Sequence, residues 1–267
     1  MYGNNFEAKY KTLIGDILDF GELVEGRNGK TKRLFAQTLV IEDLKNGKFP
    51  ILTSRKMYWK GVAGEFAAML RKPKNVKDFE KYGCNYWKLW AGENGELELD
   101  YGNAWLDWNG VNQLDYVINS LKNNPTDRRM LINGWRADRV IKNELSLPCC
   151  HYAYQFFAKS NGELELLWHQ RSADVMIGVP SDIVFAALWL TTLANHTGYK
   201  PGKITMVFGD THIYEEHIKG AEEYCKRPEL PLPDYENKCN DIYQFIPDDL
   251  ILKNYEHLKP IKFKLKG

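Results

Sequence analysis

Two apolar runs, 152–158 and 164–170, flank the tripeptide Ser160-Asn161-Gly162, and this pairing constrains the fold more than any other stretch of the chain. Aromatic and branched residues on either side of an Asn-Gly turn predict an antiparallel hairpin. A long apolar helix follows, opened by Ser181 or Asp182, continuing to about Asn195 and ended near Gly198. Residues 204–208 read as a further strand that leads into Gly209-Asp210-Thr211-His212-Ile213-Tyr214.

The flanks are more helical. Phe6, Tyr10, Leu13, Ile14, Ile17 and Leu18 recur at helical spacing and predict an amphipathic opening helix. Residues 26–30 read as a polar loop and 34–41 as a strand. Helices are expected over 60–70, with Glu65 inside the apolar stretch, and over 111–122, ending at Asn123-Asn124-Pro125. Residues 227–233 form a proline-rich connector. With no internal repeat, no low-complexity tail and no clear boundary, residues 1–267 read as one α+β domain.

Charge excludes some functions. Lys+Arg (36) and Asp+Glu (35) nearly cancel, so no global field favours nucleic acid or an anionic membrane. A local basic cluster can still hold a small phosphate. The longest apolar run, 183–190, is too short to span a bilayer. The first residues, Met1-Tyr2-Gly3-Asn4-Asn5-Phe6, lack the layout of a signal peptide. Cysteines at 84, 149, 150, 225 and 239 have neither metal-ligand spacing nor an even disulfide count, which fits reduced thiols in a cytoplasm and no bound metal.

The candidate chemistry starts at Leu147-Pro148-Cys149-Cys150-His151. Neighbours on an extended chain face opposite sides, so at most one of Cys149 and Cys150 faces a site. His151 and nearby arginines would favour the nucleophilic thiolate of Cys150. Gln170-Arg171-Ser172-Ala173-Asp174 and Gly178-Val179-Pro180-Ser181-Asp182 follow. Arg27, Arg128, Arg129 and Arg171 are either solvated turn residues or bidentate phosphate ligands. Glu65 either faces solvent at a helix edge or is buried, where desolvation would raise its pKa and suit it to relay protons. Asp182 is either a helix N-cap or, if Ser181 caps, free for other work. His212 and Tyr214 share one face of an extended segment, as core residues or as ligands of a sugar hydroxyl.

Taken together these motifs resemble the thymidylate synthase superfamily, which includes the deoxycytidylate and cytidylate hydroxymethylases. The resemblance covers roughly residues 10–262 and also includes Phe49-Pro50-Ile51-Leu52-Thr53, Trp87, Trp90, Tyr101-Gly102 and Asp127-Arg128-Arg129. It implies a large mixed β-sheet flanked by helices and a homodimer joined sheet to sheet. Cys150 would add to C6 of a pyrimidine nucleotide, which makes C5 nucleophilic toward the one-carbon unit of 5,10-methylenetetrahydrofolate. Arg27, Arg171 and Ser172, with Gln170 nearby and Arg128 and Arg129 from the second subunit, would bind the nucleotide and its phosphate. His212 and Tyr214 would hold the sugar 3′-hydroxyl. Glu65, His151 and Tyr101 would organise proton transfer, and Trp87, Trp90, Asp174 and Gly178 would line the folate pocket.

Asp182 carries the finer expectation. Synthases of the family place Asn at the matching position, where its amide pairs with uracil N3–H and O4. An ionised Asp is acceptor-only and would oppose O4, whereas a carboxyl sharing one proton with cytosine N3 fits cytosine. The resemblance therefore implies hydroxymethylation of dCMP or CMP, with thymidylate synthesis and a catalytically idle nucleotide-binding dimer as alternatives. Ser181, Tyr58, Lys88, the Lys72-Pro73-Lys74 turn and the basic C-terminus also depart from the synthase pattern. That C-terminus implies a looser closure that admits water, while His151 is the synthase-like choice.

Overall fold

The computed structural model describes residues 6–266. Met1–Asn5, where the absence of a signal peptide was read, and the final Gly267 lie outside the described residues. The chain runs α1 (Phe6–Phe20), β1 (Glu22–Gly26), β2 (Gly29–Ile41), α2 (Trp59–Met69), α3 (Val76–Glu80), α4 (Tyr101–Leu106), α5 (Gln113–Asn123) and β3 (Leu131–Asn133). It continues with α6 (Ala137–Ile141), β4 (His151–Ala158), β5 (Glu163–Asp174), α7 (Gly178–Thr197), β6 (Lys200–Tyr214), α8 (Ile218–Lys226), β7 (Asp234–Asn237) and β8 (Leu250–Lys253).

The strands form a six-stranded mixed sheet in the order β1-β2-β6-β5-β4-β3, with β7 and β8 as a separate pair. The expected hairpin is β4–β5, and Gly162 takes the positive φ of 82° that its turn requires. Among the described residues only β5 and β6 run parallel. Their crossover is α7, buried along most of its length. Leu188, Leu190 and Leu193 are fully buried there, each worth about 2 kcal/mol on area grounds.

Strand alternation decides what meets α7. On β5, Leu164, Leu166, Trp168 and Gln170 face inward, so a polar amide follows three apolar residues on the covered face. Phe185 and Trp189 of α7 pack edge-on or tilted against Phe66, Trp105, Tyr154 and Trp168. The opposite face presents exposed Leu131 and Phe157 and half-buried Leu167, His169 and Val207.

Several boundaries differ from expectation. The polar loop at 26–30 is the turn of a β1–β2 hairpin, and β1 escaped notice because its side chains are mostly exposed and it shows no apolar alternation. The later strands are longer than their apolar cores, because ladder hydrogen bonds continue into polar residues that line the site. Most consequentially, α7 starts at Gly178, so neither Ser181 nor Asp182 is its N-cap. Ile177 occupies that position, and Asp182 sits inside the helix with its carboxyl facing β5.

Candidate active site

A cavity of about 700 Å³ opens where the C-terminal halves of β5 and β6 meet the first turns of α7 and α2. The half-buried Cys150 lines it, whereas Cys149 is buried with its Sγ 3.6 Å from the Gly134 carbonyl. The Cys150 N–H donates to Tyr101 Oη at 2.8 Å, and its carbonyl accepts the Arg171 N–H at 2.9 Å. Arg171 then donates through Nε to the Cys149 carbonyl and through Nη2 to the Pro148 carbonyl. The arginine is thus tied to the segment that carries the thiol, with its plane over Trp135.

The thiol is not activated in the manner the sequence implied. Burial pushes the Cys150 pKa up, Arg171 and the Tyr101 contact pull it down, and Asp182 and Asp174 push it up again. His151 contributes no positive charge, because burial lowers its pKa to about 3 and keeps the ring neutral. Its Nδ1 lies 2.6 Å from Tyr154 Oη, and its Nε2 lies 3.8 Å from Asp182 Oδ1. His151 therefore faces the Asp182 carboxyl as a neutral polar neighbour.

Asp182 is the most perturbed acid of the cavity that still titrates near neutrality. Burial raises its pKa to about 8; Gln170 lowers it, while Glu65 and Asp174 raise it further. Gln170 Nε2 donates to Asp182 Oδ2 at 2.8 Å and to the Ser172 carbonyl at 3.0 Å, and its Oε1 accepts the Trp168 indole N–H at 3.0 Å. All the polar ends of Gln170 are engaged, so it orients Asp182 and has no spare donor for a ligand. In its protonated form the carboxyl offers one donor and one acceptor.

Glu65, on α2, is the partly buried alternative of the two readings. Tyr86 Oη and Trp87 Nε1 each donate to its carboxyl at 2.7 Å, and burial still raises its pKa to about 7. Trp87 spends its indole N–H on Glu65 and is itself buried, so its main contact is with the acid; Trp90 lines the cavity beside it. Tyr86 was missed, and only its place one residue before Trp87 could have signalled it. Asp174 lines the cavity too, with Oδ1 accepting the Met176 and Ile177 N–H groups, and so it also shapes the entry to α7. Gly178 lies directly above: a Cβ there would sit 3.7 Å from Asp182 Oδ2, an ordinary contact.

Arg27, Ser172, His212 and Tyr214 all reach the same cavity. Arg128 and Arg129 do not; they stand just before β3, away from this cavity, and the Arg129 N–H is held by Asp127. Lys88 is paired with Glu80 outside it, while Tyr58 lines it. Arg55 is a further basic group that sequence reasoning passed over, buried against Phe263 with its guanidinium 5.0 Å from the ring. The C-terminal segment is docked rather than loose. Ile261, Phe263 and Leu265 line the cavity, His217 Nε2 is bonded to the Lys264 carbonyl, and Lys266 pairs with Glu216 at 2.6 Å.

An aromatic and aliphatic wall (Trp90, Ile261, Phe263) beside basic Arg55 and Lys56 suits a flat heteroaromatic ligand with an anionic tail. A half-buried thiol, two raised acids and a rim of arginines make a site suited to nucleophilic chemistry on an anionic substrate. Residues 8–266 match the family model for thymidylate synthase, and the chain belongs to that family. It is thereby placed among the folate-dependent enzymes that transfer a one-carbon unit to C5 of pyrimidine nucleotides, with methylenetetrahydrofolate as cosubstrate. Among the described residues no helix is long and apolar enough to cross a membrane.

Proposed function

We propose that this enzyme converts dCMP or CMP to the 5-hydroxymethyl nucleotide. The observation that carries this reading is Asp182, half-buried in the nucleotide cavity and held by Gln170 where the family's synthases have an amide. As a neutral acid it can donate to cytosine N3 and accept from the N4 amino group. The same acid can also face uracil, so the preference for cytosine rests on what happens as the reaction proceeds. Addition of Cys150 at C6 makes N3 of cytosine more basic, and an acid with a pKa near 8 is well matched to pass it a proton. The Asp182 carboxylate left behind pairs with the protonated ring. Uracil N3 already carries a hydrogen, so with uracil the acid meets no ring nitrogen that can take its proton.

Other roles follow from the chain's own groups. Cys150 supplies the nucleophile, and Arg171 holds its loop while offering charge to the phosphate with Arg27. The cosubstrate supplies a one-carbon unit at the oxidation level of formaldehyde. Glu65, poised near pH 7 between Tyr86 and Trp87, moves protons at the C5 side. Arg128 and Arg129, exposed beside β3, fit the reading that a second subunit uses them, and the apolar groups on the open sheet face fit a sheet-to-sheet dimer.

The test is spectroscopic and chemical together. With methylenetetrahydrofolate and a cytidylate, the enzyme should release a product heavier by CH2O without the near-ultraviolet rise of dihydrofolate. Production of dihydrofolate from dUMP as the main reaction would instead make it a thymidylate synthase that tolerates Asp182.

A further inference from the structure

His212 lines the nucleotide cavity from β6, and one side of its ring is tied down. Nδ1 lies 2.7 Å from Asp210 Oδ1, and the other oxygen of Asp210 accepts Arg33 Nη1 at 3.1 Å. The arrangement follows from strand geometry. Asp210 and His212 are two apart on β6, and Arg33 stands directly opposite His212 in the antiparallel β2–β6 register. From the parallel side, Asp174 is paired with His212.

We infer that Arg33 and Asp210 are positioning residues that fix His212 as the Nδ1–H tautomer, so that Nε2 enters the cavity as a hydrogen-bond acceptor and reads a sugar hydroxyl as a donor. The inference rests on the nucleotide reading proposed above. A carboxylate can only accept, so the proton of the Nδ1 contact belongs to the imidazole. The His212 bond and Arg33 also hold the Asp210 pKa below the usual carboxylate range, which keeps it ionised. Nε2 has no hydrogen bond to another described residue. With the ring neutral, the hydroxyl it meets donates its hydrogen bond to His212, and only its lone pairs remain for Tyr214; a doubly protonated ring in the 15N spectrum of the wild-type enzyme would overturn this.

Asp210→Asn should reverse the polarity. Arg33 can donate only to the amide oxygen, which turns the amide NH2 toward His212 Nδ1 and forces the proton to Nε2. The first readout is the imidazole 15N spectrum of the unliganded enzyme. The wild-type chain should show Nδ1–H at His212, and Asp210→Asn should show Nε2–H. The second is binding of a cytidylate against its 3′-deoxy-3′-fluoro analogue, in both ribose and deoxyribose series. Fluorine cannot donate, so the analogue should bind the wild-type chain about tenfold more weakly. In Asp210→Asn the gap should shrink to about threefold or less. Arg33→Lys, which keeps a donor, should retain most of the wild-type discrimination, whereas Arg33→Met should lose part of it.

An Nε2–H tautomer in the wild-type enzyme would overturn the inference, whether or not the variants fold. So would an Asp210→Asn variant that leaves tautomer and binding ratio unchanged. Failure of the wild-type enzyme to bind any cytidylate would count against the proposed function and leave the tautomer readout standing.

Discussion

The side-chain amide of Gln170 donates to Asp182 Oδ2 at 2.8 Å, across the contact between β5 and α7. Gln170 is the fourth inward residue of an otherwise apolar strand face, and Asp182 sits inside a buried helix. Each is a costly residue where it stands, and each satisfies the other. Replacing Gln170 with Leu should leave the Trp168 indole N–H and the Asp182 carboxyl without their partner. Denaturant titration should show a loss of about 1–3 kcal/mol, with a matching loss of base discrimination. A variant with wild-type stability and base ratio would mean that Gln170 does not hold Asp182.

The protonation of Asp182 makes turnover of cytidylate depend on pH. Below its pKa of about 8 the acid can supply the proton that cytosine N3 takes up; above it, the carboxylate has no proton to give and opposes N3. kcat/KM for cytidylate should therefore fall between about pH 7 and 9. In Asp182→Asn that limb should be absent. A wild-type profile without it would remove Asp182 from proton delivery to the base.

The same acids set a stability profile. Glu65 and Asp182 have folded pKa values of about 7 and 8, above their ordinary values of 4.5 and 3.8. The folded state binds their protons more tightly, so their contribution is full below about pH 4 and is lost as pH rises through 7 and 8. His151 works the other way, because its pKa falls from 6.5 to about 3 and its contribution is complete only above about 6.5. The clean window is therefore about pH 6.5 to 8, where the melting temperature should fall. Asp182→Asn should flatten that decline. A melting temperature that rises across the window would contradict the burial of both acids.

Glu65→Gln should reduce kcat by about 10²-fold or more while changing the nucleotide KM little, since the acid moves protons rather than binding the sugar or phosphate. Tyr86→Phe is the milder case. Losing one of the two donors to Glu65 should raise its pKa above 7 and move the corresponding limb of the pH–rate profile upward. A Glu65→Gln enzyme with near-normal kcat would assign the proton transfer elsewhere.

Much of this site was legible because its residues sit in local patterns. The Ser160-Asn161-Gly162 turn announced β4 and β5, and the motif around Cys150 announced the thiol. What sequence could not show was tertiary. The start of α7 was misplaced because Ser181 and Asp182 look like caps, whereas packing carries the helix back to Gly178. The neutrality of His151 comes from burial by Phe185, Trp168 and Tyr154, residues spread over the middle of the chain, and the raised pKa of Asp182 likewise from desolvation. Tyr86 and Arg55 carried no motif of their own. The basic C-terminus suggested looseness, but Ile261 and Phe263 on alternate positions supply the apolar contacts that dock it.

The most direct test of cytosine recognition by Asp182 is a competition assay. Equal dUMP, dCMP and CMP are given to the wild-type enzyme and to Asp182→Asn with methylenetetrahydrofolate, and the products are weighed by mass spectrometry. Cytosine recognition by Asp182 predicts a cytidylate heavier by CH2O from the wild-type enzyme, with its sugar identified at once, and a shift toward uridylate in the variant. A uridylate heavier by CH2 from the wild-type enzyme, or an unchanged base ratio in the variant, would contradict it.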